Sequence, residues 1–259
     1  MLVVLSPAKN LDFSPVDHPP ATQPALIEET AKLAKTTRGL SRAKLKALMG
    51  ISEPLADLNH ARFQAFDAAA EDGLPAALAF AGDVYRGLDA RTLKTKDLLW
   101  AQDRLRILSG LYGVLRPLDA IQPYRLEMGT KLHTRRGEDL YSFWGPRIAK
   151  ELDADAADHA APVIVNLASN EYFKAVDRKA LKTPMVSATF LDVKDGKARA
   201  LFMFVKRARG LMARWIIENR IETPDDLKDF SVEGYRFSKA DSSDGALVFQ
   251  RPQPAKKAA

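Results

Sequence analysis

The sequence contains no cysteine. That excludes disulfides, thiolate metal ligands and a cysteine nucleophile, and it suits a reducing compartment. No apolar run approaches the ~20 residues needed to cross a bilayer. The opening residues, Met1-Leu2-Val3-Val4-Leu5-Ser6-Pro7, lack the charged region of a signal peptide, so a cytoplasmic protein with no membrane contact is expected. Histidine is scarce: His18, His60, His133 and His159 are scattered, and none has a second ligand at helical spacing. No metal site and no cofactor are therefore expected. Walker A, GxGxxG and nucleophile-elbow motifs are also missing.

What is present is a chain of 259 residues, 46% of them hydrophobic, long enough for one sizeable core. Short apolar runs at 2–5 and 163–167 predict buried strands. Residues 185–192 predict another strand, with 198–205 as its partner across an Asp195-Gly196 turn. Residues 234–237 and 246–249 form a closing β pair on the same grounds. Helical spacing covers 25–67, then 96–108 up to Gly110, and 206–220. The Gly- and Pro-punctuated stretch 109–129 reads as an ordered loop, and the Ala/Asp-rich stretch 151–162 as a connection. The expectation is an α/β fold in the mixed (α+β) sense, a central mixed sheet flanked by helices. It occupies one body over 1–251, with a disordered basic tail at 252–259.

The formal charge of +6 is compatible with a polyanionic partner, and the placement of the cations matters more than their sum. On the 206–220 helix, Ala208, Met212, Trp215 and Ile216 form an apolar stripe, while Arg207 and Arg214 share another face beside Gly210. Lys206, Arg207 and Arg209 would sit at the helix start, where cations oppose the macrodipole unless an anion binds there. A solvated basic face with ordinary ion pairs is the alternative. Arg116 and Arg125 lie among Tyr112, Tyr124 and Glu127; they could grip phosphates, or Arg125 could pair with Glu127. Residues 39–66 suggest two short helices around a Gly-Ile hairpin, with Arg42, Lys44 and Lys46 nearby. That pattern resembles a helix–hairpin–helix, although any αα-hairpin shares it.

A second constellation lies at strand ends. If the strands at 2–5 and 163–167 are adjacent, Ser6, Lys9, Asn166, Ser169 and Glu171 share one crevice, the usual ligand position in α/β proteins. A small phosphorylated ligand would suit it. Capping of a helix by Ser169 and Glu171 would explain those two residues without a ligand, but not Lys9.

Several longer strings carry a family resemblance: LSPAKNLDF (5–13), LSGLYGVLRPLDAIQPYRLEMG (108–129), LYSFWG (140–145), NLASNEYFKAV (166–176), KRARGLMARWIIENRI (206–221), EGYRF (233–237) and DGALVFQR (244–251). In this order they closely resemble the YaaA family of bacterial cytosolic proteins. The resemblance implies a role in the peroxide-stress response, limiting iron-dependent damage to DNA. It also implies binding of double-stranded DNA by a compact α/β fold with a positively charged cleft and a helix–hairpin–helix, matched in position by residues 40–66. No reaction comes with it. Without cysteine, this chain would be neither a thiol peroxidase nor a disulfide sensor. The expectation is therefore a DNA-binding protein largely indifferent to sequence. The alternative is an enzyme acting on a nucleotide, nucleobase or damaged nucleic acid, with Lys9 or Glu171 as acid–base group in a buried pair.

Overall fold

The apolar run at 2–5 becomes the centre of the sheet, with every side chain buried. The computed structural model describes residues 1–70 and 72–254. The chain passes through β1 (Leu2–Leu5), β2 (Asn10–Leu11), α1 (Ile27–Arg38), α2 (Arg42–Met49), α3 (Glu53–Ala65), β3 (Leu74–Pro75), α4 (Ala76–Ala79), β4 (Phe80–Ala81) and α5 (Asp83–Leu88). It continues through α6 (Thr95–Arg104), β5 (Leu105–Ser109), β6 (Gly113–Leu115), β7 (Ala120–Ile121), α7 (Leu140–Trp144), α8 (Arg147–Ala157), β8 (Ile164–Asn166) and α9 (Asn170–Phe173). The last elements are β9 (Met185–Lys194), β10 (Lys197–Arg199), α10 (Phe202–Asn219), β11 (Arg236–Phe237) and β12 (Ala246–Pro252).

The main sheet has the order β11-β12-β9-β8-β1-β5-β6, with β10 added to β9. Strands β12, β9, β8, β1 and β5 are mutually parallel, while β11 and β6 run antiparallel at the two edges. The sheet is thus mixed, and the α/β expectation holds. Parallel strands bury both faces, which is why the segments around β1 and β8 read as continuous apolar runs. Helices α6 and α10 pack against β1, α8 against β6 and α9 against β5. No described helix is long and apolar enough to cross a membrane.

Four local expectations differ from what forms. The periodicity at 96–108 predicts one helix, but α6 ends at Arg104 and Leu105 enters β5 with no Gly or Pro between them. Arg106 hides this strand: it is buried and donates to Asp155 and to the carbonyls of Gln102 and Leu105. The stretch 151–162 is mostly helix α8, whose buried stripe of Ile148, Ala149, Leu152 and Ala156 is too alanine-rich to announce itself. The loop 109–129 contains β6 and β7. The partner strand expected through 205 stops at Arg199, and α10 begins at Phe202.

At the other end, Pro252 still belongs to β12, and the Gln253 N–H donates to Val193 O (2.9 Å). The remainder of the expected tail, 255–259, lies outside the described residues.

Helix α1 is tied to the body by Glu29, which accepts from Arg136 and Lys32 and lies 3.7 Å from Arg147. Arg136 first, then Lys32, hold its carboxyl down from 4.5 to about 2 against the opposing effect of burial. A depressed pKa means the stabilisation is complete above 4.5 and is lost as pH falls toward about 2. Denaturant melts across that window should therefore show a steeper acid loss for the native protein than for Glu29→Gln. Parallel pH profiles would show that Glu29 is not the responsible group.

Candidate functional site

The chain leaves β1 to form β5 on one side and later β8 on the other. Strand order reverses at β1, so a crevice opens beyond the carboxyl ends of β8, β1 and β5, where α/β sheets place ligands. Its polar groups are largely stitched to one another. Ser6, buried just past β1, accepts from the Ser169 N–H (2.8 Å) and donates to Ser169 Oγ (3.3 Å). Its carbonyl accepts from the Tyr85 hydroxyl (3.1 Å). Ser169 occupies the N-cap position of α9 but makes no side-chain cap, so its hydroxyl serves Ser6 instead. Asn166 Oδ1 accepts from the Ala168 N–H (2.9 Å) and pins the turn after β8.

Lys9 does not pair with Glu171. Its Nζ lies 3.0 Å from Glu127 Oε1, which also accepts from Arg125 Nη2 (2.9 Å). Glu171 accepts from the Gly129 N–H (3.1 Å), and its carbonyl accepts from the Tyr141 hydroxyl (3.0 Å). Lys9 and Glu171 are both exposed, so the buried Lys–Glu pair that the enzymatic alternative requires is not formed. Tyr85, Tyr124 and Tyr172 are buried beside this crevice. Burial pushes the phenols of Tyr85 and Tyr124 well above their usual range. Burial, then the carboxylates of Glu171 and Glu127, push Tyr172 the same way. At neutral pH these phenols are hydrogen-bond donors and not bases. Among the described residues no three His, Cys, Asp or Glu side chains gather as a metal-holding group.

The family described as "Peroxide stress protein YaaA" matches residues 1–241. The chain belongs to this peroxide-stress family. UPF0246 proteins of Maricaulis maris and Phenylobacterium zucineum are 62% and 57% identical to it, the first over all of both chains and the second over all of this chain and 98% of its own. A UPF0246 protein of Caulobacter vibrioides is 57% identical over 98% of this chain and its own full length.

In this YaaA-family protein two arginines of α10, Arg207 and Arg214, do structural work. Because α10 starts at Phe202, Arg207 and Arg209 fall beyond its first turn, and only Lys206 reaches back, to the Phe202 ring. That removes the anion argument made for them from the sequence. Arg207 grips Glu233 through Nη2 (2.7 Å) and Nε (2.9 Å). Arg214 donates to Asp89 O (2.8 Å), Thr92 Oγ1 (2.8 Å), Leu88 O (3.2 Å) and Glu218 (2.9 Å). Arg209 is half-buried, and its Nε has no hydrogen-bond partner. Burial lowers its pKa. Arg116 is likewise structural, donating to Asp119 Oδ1 (3.0 Å) and Gln23 O (2.9 Å).

Two helices do flank the Gly50-Ile51-Ser52 turn, with Gly50 left-handed at φ 59°. The amides of Gly50 and Ile51, however, both donate to Lys46 O and are not free to hold a phosphate. Arg42 and Lys46 lie 3.4 Å from Asp57 and Glu53, while the Lys44 side chain is exposed.

The carboxyl edge carries a different set of cations. Lys131 follows the loop anchored at Gly129, and Lys174 closes α9 with its ammonium 4.7 Å from the Tyr141 ring. Lys194, Lys197 and Arg199 stand on the β9–β10 hairpin, and Lys206 on α10. All are exposed, and none makes an ion pair among the described residues. The one signal for this set in the sequence was Asp195-Gly196 flanked by Lys194, Lys197 and Arg199. A groove of about 490 Å³ adjoins α9, lined by Tyr141, Asn170, Phe173, Lys174 and Arg178 among others.

Proposed function

We propose that this protein serves the peroxide-stress response by binding duplex DNA through its phosphates, largely without regard to sequence, and thereby limits iron-dependent damage to DNA. The observation that carries this is that Lys131, Lys174, Lys194, Lys197, Arg199 and Lys206, on the loop after Gly129, at the end of α9, on the β9–β10 hairpin and near the start of α10, are exposed and make no ion pair among the described residues. Paired arginines have little left to give a phosphate, whereas an unpaired exposed cation releases the DNA's counterions at little desolvation cost.

Fluorescence anisotropy with labelled duplexes of two unrelated sequences tests it. Affinities should agree within about threefold, and log K should fall with log salt at a slope of about −5, given roughly −0.9 per phosphate neutralised. The double variant Lys131→Glu/Lys174→Glu should shed about two units of that slope. Absence of duplex binding at low salt, or binding that salt does not weaken, would sink the proposal.

A small phosphorylated ligand is the second reading, favoured by the groove beside Lys174 and Arg178. Calorimetric titration with a nucleoside monophosphate separates the two, because only a pocket ligand binds with one-to-one stoichiometry and without long duplexes.

A further inference from the structure

Strand β9 outruns its neighbour. It pairs with β8 only over Met185–Ser187 and then continues to Lys194. From Ser187 to Lys194, at roughly 3.3 Å per residue, the ribbon reaches about 23 Å further. Strand β12 occupies one side of β9 over Ser187–Val193. The β10 strand, paired to Asp192–Lys194, must therefore take the other side, the side of β8. The hairpin thus stands on the flank of the sheet that faces the crevice edge. Its turn, Asp195 (φ 51°) and Gly196 (φ 71°), has the two left-handed residues of a tight β-hairpin.

The tip combines charge with exposed apolar surface. Every residue from Lys194 to Ala200 is exposed, with Lys194, Lys197 and Arg199 against the single acid Asp195. Immediately after it, Phe202 is 82% and Met203 60% exposed, whereas the next most exposed large apolar side chain, Leu99, is 49% exposed. Lys206 lies over the Phe202 ring at 5.2 Å. A scattered surface apolar residue needs no explanation; two adjacent ones rimmed by four cations do. The charge selects a polyanion, and a ring and a thioether beside those cations suit insertion between base pairs.

Resting on the DNA-binding proposal above, we propose that the β9–β10 ribbon and the start of α10 form a wedge contact: the cations straddle the phosphates, and Phe202 with Met203 enters a base step and bends the duplex. Unstacking is the cost of such a contact, so the partner of choice is a duplex whose stacking is already weakened by a nick, a mismatch or a lost base. The same ribbon would then give the protein a preference for damaged DNA without any contact that reads sequence.

The test uses the full chain with intact duplexes and with duplexes carrying one abasic site, end-labelled for energy transfer. The native protein should bind the abasic duplex about tenfold more tightly and bring its ends closer. Phe202→Ala/Met203→Ala should lose both effects while holding intact DNA within about threefold, since the phosphate contacts persist. Both residues are exposed, so the variant should keep the native melting temperature. Lys194→Glu/Lys197→Glu/Arg199→Glu should weaken binding to both duplexes.

If the native protein binds DNA but neither bends it nor prefers the abasic duplex, or if the Phe202 variant keeps both properties, the wedge is wrong and DNA binding stands. If no duplex binds at all, both proposals fail. If Phe202→Ala/Met203→Ala instead abolishes sedimentation with phosphatidylserine vesicles and leaves every DNA property intact, the surface serves a lipid face and the wedge is overturned.

Discussion

Gly210→Ala should destabilise the protein by about 3 kcal/mol, at the upper end of the penalties for overpacking. Helices α5 and α10 form the most extensive helix–helix contact in the structure, and they cross at Gly87 and Gly210. A Cβ on Gly210 would overlap Val84 O and stand 2.7 Å from Leu88 N. A Cβ on Gly87 would meet Arg207 O and lie 2.8 Å from Leu211 N. Every atom it meets is backbone, so no side chain can swing aside and the helices must separate. Separation also strains the bonds from Arg207 to Arg86 O and from Arg214 to Leu88 O and Asp89 O. Helix propensity alone argues the other way, since alanine is better than glycine inside a helix by about 1 kcal/mol. The sign of the result is therefore decisive. Chemical denaturation measures it, and a variant as stable as the native protein or more so would show that the crossing is not close-packed.

Arg251→Met should cost about 3–5 kcal/mol, because it leaves a charge buried without its partner. Asp192 on β9 and Arg251 on β12 face each other in register, both buried, with Arg251 Nε 2.7 Å from Asp192 Oδ1. Arg251 also lies 3.3 Å from Glu233 and 4.3 Å from the centre of the Tyr235 ring. Asp192 Oδ2 is buried and has no partner of its own, so the carboxylate depends on Arg251. The double variant Arg251→Met/Asp192→Leu should regain most of the loss, since an apolar pair of similar volume removes both desolvation penalties. If the double variant is no more stable than the single one, the pair is contributing attraction rather than compensating for burial. Thermal and denaturant melts of the four proteins in the cycle give the coupling directly. The pair stands at the root of the β9–β10 ribbon, so the single variant should also loosen the hairpin.

Some features were legible along the chain because they are set by near neighbours. The apolar runs that become β1 and β8, the Asp195-Gly196 turn, the stripe on α10 and the Arg125–Glu127 pair all depend on residues within a few positions of each other. The family strings were equally plain, because they are runs of adjacent residues. Strand β5 was not legible: nothing marks the boundary at Leu105, and Arg106 can be buried in a strand only because Asp155, far along the chain, is there to meet it.

The same limit governed the site. Composition determined that thiol chemistry is unavailable and that cations are in excess. Only the tertiary structure decided which cations are free. Arg207 is taken by Glu233, Arg214 by the end of α5 and Lys9 by Glu127, each pairing set by how the chain returns on itself. The lysines and arginine of the β9–β10 hairpin make no ion pair among the described residues, because the ribbon carries them past the end of β8 to an exposed tip. A local pattern specifies a helix, a strand or a turn; the field felt by a charge is the sum over everything within about 10 Å, and sequence distance does not measure that.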